Sequence, residues 1–406
     1  MIPYRAASQL AQKLSVYQAA RLATLSLTVL APCQPANAHN GSGHTVSLPD
    51  QIAAIIQRGP PAVLAAVQSR GTVHRVALGM ADISSGRRAS TKYVWRIASV
   101  TKLVTAALVL QLHQDGRLKL EDRLSKYLPG KVELANQISI RQLLNHTSGI
   151  PDYLSAPDVP LNVSAERLRE NLIRQPSREA LIHDARLQPR RFEPGANHEY
   201  SNTNYLLLGM IIERVTGMSF HSVVRERVIA PLKLKNTGFP DRHGQIPLMH
   251  LRGYVPGDTK SGPFKNRRAL IDVTVHDYFL GADGGLFSSV DETLRILNFV
   301  LRGPMLKALV RQSMMDSLVS DHDGFYRYGL GVMAFKLPCG MFVYGHEGRD
   351  LGIYTVALLD PAHERSFVLA ANMSFEHEWG IQDRIDRLRN SVFCRPYARC
   401  RKRHNH

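Results

Sequence analysis

Cysteine is scarce in this chain: four occur in 406 residues, at positions 33, 339, 394 and 400. None stands in a metal-type spacing, so no zinc or other metal site is expected. No apolar run reaches the roughly 20 residues that a membrane-spanning helix needs, so no transmembrane helix is expected once the leader described below is removed. Acidic residues are also few, with 34 Asp and Glu against 51 Lys and Arg, a formal net charge of +17. The stretch 395–406 carries no acid at all. No nucleic-acid-binding motif accompanies that charge, so nucleic acid is not an expected partner. Two readings of the basic tail stay open: a solvated extension, or attraction to anionic cell-envelope polymers.

At the N-terminus, Arg5, Lys13 and Arg21 precede a short apolar run from Leu22 to Ala31, and Ala36-Asn37-Ala38 fits small-x-small cleavage. This predicts a signal peptide over 1–38 and a periplasmic or secreted protein, with an uncleaved amphipathic anchor as the alternative. Pro32 before Cys33 argues against lipid attachment there. Removal of the leader would leave Cys339, Cys394 and Cys400, an odd number. Export would permit one disulfide, with its partners unassigned.

The length suggests two or three lobes, and 44% hydrophobic with 21% charged residues is ordinary for a globular protein. A helix is expected from Ser47 to about Arg58, stopped by Pro60-Pro61. A strand pair follows over Val63–Met80, turning at Gly71. An apolar helix runs from Ser99 to about Asp115-Gly116. From about 121 to 274 the chain reads as helices and long loops: Ile140–Asn145, Ala165–Ile173, Tyr205–Thr216 and Phe220–Ile229. Asp291–Leu301 is helical, Tyr354–Leu359 and Ser366–Ala371 form a hairpin, and Trp379–Phe393 closes with an amphipathic helix. The expected fold class is α/β (α+β): an antiparallel sheet flanked by terminal helices, with an inserted helical lobe about 121–274 inside one domain, 39–394, and a basic tail over 395–406. A cleft between the lobes would take a small ligand.

The tetrad Ser99-Val100-Thr101-Lys102 opens the apolar helix. Residues three apart share a helix face, and an S-x-x-K arises by chance on the order of once per chain of this size. Two readings fit the tetrad by itself. Ser99 caps the helix while Lys102 runs out to solvent, or a buried amine activates the serine hydroxyl as a nucleophile, with helix-terminal N–H groups around a developing oxyanion.

Further segments stand in order behind it: Leu143-Leu144-Asn145-His146-Thr147-Ser148-Gly149-Ile150, Tyr200-Ser201-Asn202, Gly284 to Ser289 before Asp291, and His346-Glu347-Gly348 on an expected strand. Together with Ser99–Lys102, over about residues 50 to 395, the chain resembles the serine β-lactamase and penicillin-binding protein superfamily, which includes class C β-lactamases and D-Ala-D-Ala carboxypeptidases. The resemblance implies an acyl-enzyme on Ser99 without metal or organic cofactor. Lys102 would activate Ser99, and Tyr200 would shuttle the proton to the leaving group, with the choice of base between them open. Asn202, His346 and Gly348 would bind substrate, and the backbone N–H groups of Ser99 and Arg349 would form the oxyanion hole. Free lysine titrates near ~10.4, so a basic Lys102 would need a shift of roughly three units from burial and nearby positive charge. His146, Ser148 and Ser201 are read as structural.

The pattern departs from many relatives at two places. His346 stands where lysine is common, and could carry charge near neutral pH. Glu347 replaces a small hydroxyl, and would repel a substrate carboxylate. The expected activity is therefore an exported serine hydrolase of peptide amides or esters, D-alanyl-D-alanine carboxypeptidase-like. An esterase or weak β-lactamase, or a catalytically silent penicillin-binding-type sensor, are the alternatives. Substrates would be small peptides, esters or β-lactams.

Overall fold

A computed structural model describes residues 47–57, 59–155, 176–256, 270–275, 281–320, 324–362, 364–373 and 381–394. The expected signal peptide, the helix at Ala165–Ile173 and the basic tail lie outside these residues. In chain order the elements are α1 (Leu48–Ile56), β1 (Ala62–Ser69), β2 (Thr72–Asp82), β3 (Arg87–Arg88) and β4 (Val94–Arg96). A 3-10 turn (Ala98–Val100) leads into α2 (Thr101–Gln114), then α3 (Ile140–Leu144), α4 (Arg178–Arg186), α5 (Asn202–Thr216) and α6 (Phe220–Val224). The chain continues through β5 (Tyr254–Pro256), β6 (Leu270–Asp272), β7 (Phe287–Ser289), α7 (Val290–Leu301), α8 (Ala308–Asp316), β8 (Val319–Ser320) and β9 (Arg327–Tyr328). It closes with β10 (Met333–Lys336), β11 (Phe342–Asp350), β12 (Ile353–Asp360), β13 (Arg365–Ala371) and α9 (Ile381–Phe393).

One antiparallel sheet of nine strands runs β3-β2-β1-β13-β12-β11-β10-β9-β8. It draws on two separated stretches of chain, 62–88 and 319–371. The first and last long strands meet in its interior, where Ala65 pairs with Leu369 on one side and Val76 on the other. Strands β12 and β13 are buried at every residue, which is why they read as unbroken apolar runs rather than alternating ones. Their alternate side chains feed two cores. Ala357, Val368 and Ala370 pack with α2 and α7, while Tyr354, Val356, Phe367 and Leu369 pack with α1 and α9.

Serine residues set several helix starts. Ser47 accepts the Asp50 N–H and Ser289 the Glu292 N–H, and Ser139 forms a capping box with Gln142 at α3. Such caps are worth roughly 1 kcal/mol each. Helix α5 starts at Asn202, three residues earlier than expected, and ends at left-handed Gly217 with φ 74°. The expected helix at Phe220–Ile229 is an α-helix only to Val224 and a π-turn after it. The 121–274 stretch also holds a small strand pair, β5 with β6, that the sequence reading did not anticipate.

A disulfide joins Cys339, in the β10–β11 turn, to Cys394 at the end of α9, with Cα atoms 5.7 Å apart. It fastens the closing helix to the sheet. Among the described residues no helix is long and apolar enough to cross a membrane.

Candidate active site

Ser99 lies not on the α-helix proper but in the 3-10 turn just before it. The turn is tied by Ile97 N–H to Leu286 O at 2.9 Å and Val100 N–H to Ile97 O at 3.2 Å. Ala98, immediately before the serine, sits at φ 50°, a region costly for a residue with a Cβ. The turn is pressed against β11. A Cβ on Gly348 would fall 2.4 Å from Ile97 O and 3.2 Å from Ser99 N. The sequence reading gave Gly348 to a close substrate approach. The backbone that comes close is instead that of the turn carrying Ser99, and the glycine is needed for that packing.

Helix α2 buries eleven of its fourteen residues, so it has no wet face for a lysine to reach. Lys102 is fully buried, and Val100, not Ser99, is the helix cap, without a side-chain bond. The capping-and-snorkelling reading of the tetrad is therefore excluded by the geometry. The Lys102 Nζ donates to Ser99 Oγ at 3.0 Å, Asn202 Oδ1 at 2.7 Å and Asp283 O at 2.5 Å, one acceptor for each of its three protons. Burial lowers its pKa to about 8, against the pull of the Asp283 and Asp152 carboxylates. The sequence reading expected neighbouring positive charge to help. The charged neighbours here are negative and oppose the shift, so desolvation alone produces it.

Tyr200 lies beside this group, with Lys102 Nζ 5.0 Å from its ring centroid. Its hydroxyl is buried and faces the Ser99 hydroxyl. Burial pushes the phenol well above its ordinary range, and the Ser99 hydroxyl opposes this. The ring packs against His146, tilted by 31° with centroids 4.3 Å apart. His146 Nδ1 accepts the Ser201 N–H at 3.1 Å, which leaves the proton on Nε2. Burial holds the imidazole neutral, its pKa well below the usual value. Ser148 Oγ donates to Asn204 Oδ1 at 2.7 Å. The run 143–150 thus braces the Tyr200–Asn202 turn, a structural part.

His346 is buried with both ring nitrogens engaged. Tyr328 bonds Nε2 at 2.9 Å, and Nδ1 faces its neighbour's carbonyl, Glu347 O. Burial and the Lys102 charge lower its pKa to about 3. It is neutral, and no ring nitrogen is left over for a substrate; the expectation of a charged, substrate-binding imidazole is corrected. Glu347 is corrected as well. Strand alternation turns it to the other side of β11, where Arg349, Arg389 and Tyr354 hold back the rise in pKa that burial imposes on its carboxyl. It cannot meet a substrate carboxylate at Ser99. Glu347 N–H points toward β10, at Met333 Sδ. By the same alternation, Arg349 N–H two residues on points to that edge, which β10 no longer covers.

Three residues that no motif pointed to complete the site. Asn202 Nδ2 donates to Asp152 Oδ2 at 2.8 Å. Tyr153 Oη donates to Asp283 Oδ2 at 2.7 Å. Asp152 and Tyr153 follow the 143–150 run after Pro151, and Asp283 directly precedes Gly284-Gly285; nearness to those segments is the only sequence signal they carry. Among the described residues no group of His, Cys, Asp and Glu could hold a metal ion.

A family model described as Beta-lactamase matches residues 49–389. A protein of Escherichia coli K12, provisionally named D-alanyl-D-alanine carboxypeptidase, is 27% identical over 352 residues, covering 77% of this chain and 79% of that one. Penicillin-binding protein 4* of Bacillus subtilis is 24% identical over 336 residues, covering 82% of this chain and 72% of that one. Among solved structures, a D-stereospecific amidohydrolase from Streptomyces is 29% identical with a TM-score of 0.75, covering 85% of this chain and 97% of that one.

Proposed function

The chain belongs to the Beta-lactamase family, and on that footing we propose that this serine hydrolase is exported and works through an acyl-enzyme on Ser99, cleaving peptide amides or esters in the manner of a D-alanyl-D-alanine carboxypeptidase. One observation carries the reading: a fully buried lysine, with its pKa drawn down to about 8, donates to the serine hydroxyl at 3.0 Å. A neutral amine there can take the Ser99 proton as Oγ attacks the carbonyl carbon.

The charge that develops on the carbonyl oxygen is received by the N–H groups of Ser99 and Arg349, the latter supported by its place on the open edge of β11. As the tetrahedral intermediate collapses, the leaving nitrogen or oxygen takes a proton through Tyr200, which is refilled from Lys102. Water then adds to the ester carbonyl and releases Ser99. Of the two candidate bases Lys102 is favoured, because burial keeps the Tyr200 phenol protonated. Asn202 spends Oδ1 on Lys102 and one Nδ2 proton on Asp152. Its second Nδ2 proton is the one for a substrate carbonyl.

The acyl-transfer chemistry is that of the carboxypeptidases, whose substrates carry a carboxylate beside the scissile bond, but neutral amides and esters are favoured here over such anionic peptides. Among the described residues, the charged groups that act on Lys102 at its centre are the Asp152 and Asp283 carboxylates, and His346 is neutral. The Cys339–Cys394 disulfide supports an oxidising location, periplasmic or secreted. Anionic envelope polymers remain the proposed partner of the basic surface.

The test is incubation of wild type and Ser99→Ala with a chromogenic ester, a D-alanyl peptide and a fluorescent penicillin. Turnover that disappears in Ser99→Ala is the expected result. Stoichiometric labelling without turnover would instead point to a sensor, and absence of both would end the acyl-enzyme reading.

A further inference from the structure

Lys102 has two acceptors besides Ser99, and each is gripped by the same short segment. Asp152 holds the side-chain amide of Asn202, whose Oδ1 receives Lys102. Tyr153 holds the carboxyl of Asp283, whose backbone oxygen receives Lys102. The segment is itself anchored to the start of α5. Thr203 Oγ1 donates to Pro151 O at 2.7 Å and accepts the Tyr153 N–H at 3.0 Å, while Ser201 Oγ donates to Pro151 O at 3.2 Å. Asp152 Oδ1 also receives the Leu154 N–H at 3.0 Å, which fixes its rotamer. Tyr153, Thr203 and Asp283 are completely buried, so the bonds they make are shielded from bulk water, while those of Asp152 are part-buried.

We propose that Asp152 and Tyr153 are positioning residues: they fix both non-serine acceptors of the Lys102 ammonium and thereby govern how readily it gives up its proton. The inference rests on the serine-hydrolase reading, and deepens it. A buried amine with no compensating charge would be neutral well below physiological pH and would be too weak a base to take the Ser99 proton. A buried amine fully paired with carboxylates would stay charged and could not accept one. Asp152, reached through one amide, and Asp283, reached through its own backbone, sit between these extremes.

The other groups around Lys102 do not add charge. His346 and His146 are held neutral by burial, and the phenols of Tyr200 and Tyr205, whose rings lie 5.0 and 5.4 Å from Nζ, are held protonated. The two carboxylates are therefore what a substitution can change.

The test is the pH dependence of kcat/KM on a neutral chromogenic ester, together with direct titration of Lys102 by the 13Cε shift of lysine-labelled protein. In Asp152→Asn the acid limb and the lysine titration should both move to lower pH, by about one unit. In Tyr153→Phe both should move the same way by less, because loss of the phenol donor favours the protonated Asp283 carboxyl. Asp152→Glu keeps the charge, so its limb should stay near that of wild type even if kcat falls. A folded Asp152→Asn protein with an unmoved lysine titration overturns the proposal, as does a shift to higher pH. If Asp152→Asn does not fold, Tyr153→Phe decides in the same way. Wild type lacking Ser99-dependent turnover would sink the functional reading, while the lysine titration would still judge this one.

Discussion

Four consecutive residues of β11 divide between two environments. His346 and Gly348 face the side on which Lys102 and the Ser99 turn lie, where buried polar groups are concentrated; Lys102 and His346 have their polar atoms engaged, while His146 Nε2 and Asp283 Oδ1 find no partner among the described residues. Glu347 and Arg349 face α9, beside Arg389, Tyr354 and a largely apolar core closed by the Cys339–Cys394 bridge. The first side spends stability on desolvated charge, since a buried ammonium is costly even when hydrogen-bonded. The second side gains it from apolar burial and a cross-link. One strand thus joins a reactive surface to a rigid support. Substitutions on the two sides should separate in what they damage: rate on one, stability on the other.

The largest expected effect is from Lys102→Ala. Removing the proton acceptor should lower kcat/KM on the ester by about 10³-fold or more, with the protein still folded by circular dichroism. In wild type the same logic fixes the pH profile. The folded-state pKa of Lys102 is about 8, and the amine accepts a proton only when neutral, so kcat/KM should climb as pH rises through about 8. A flat profile between pH 6 and 9 would remove Lys102 from the role of base.

Gly348→Ala comes next. The added Cβ meets backbone rather than a flexible side chain, with Ile97 O at 2.4 Å. The Ser99 turn must yield, and a displacement on the order of 1 Å at a reacting atom can cost about 10²-fold in rate. Stability should fall by about 1–3 kcal/mol, as for other overpacked sites. Kinetics beside thermal melting would show whether the rate loss exceeds what unfolding explains. If activity survived intact, the turn would not be held by this contact.

On the opposite side, Cys394→Ser should reverse that balance. The bridge closes a loop of 55 residues, so its loss should cost about 2–4 kcal/mol of stability. The ester kcat/KM should stay within about twofold at a temperature where the variant is folded. Melting with and without reductant checks the first part. A large kinetic loss would mean that α9 shapes the reactive side as well.

The motif residues were legible because together, in order, they resemble a known family. Ser99 and Lys102 stand one turn apart, and the Tyr200–Asn202 and His346–Gly348 segments follow in order. The central strands were legible as apolar runs bounded by turns. What remained hidden has physical reasons. Asp152, Tyr153 and Asp283 are single polar residues whose meaning comes from distant partners, 50 to 181 positions away in the chain. The neutrality of His346 comes from burial, which a local window does not reveal. The side on which Glu347 lies depends on register, and a one-residue change of register exchanges the two faces of a strand.

Glu347→Thr tests that last point and has the smallest expected effect. The sequence alone suggests that this glutamate repels anionic substrates, so that a threonine would shift preference toward them. The structure turns the carboxyl toward Arg349, Arg389 and Tyr354, on the far side of the strand from Ser99. A charge there is separated from the reacting centre by the backbone of β11. The ratio of kcat/KM for a carboxylate-bearing ester to that for its neutral analogue should therefore change by less than about twofold, while the melting temperature falls slightly as two arginines lose a partner. A shift of tenfold toward the anionic ester would place Glu347 in contact with substrate and merge the two sides that the strand keeps apart.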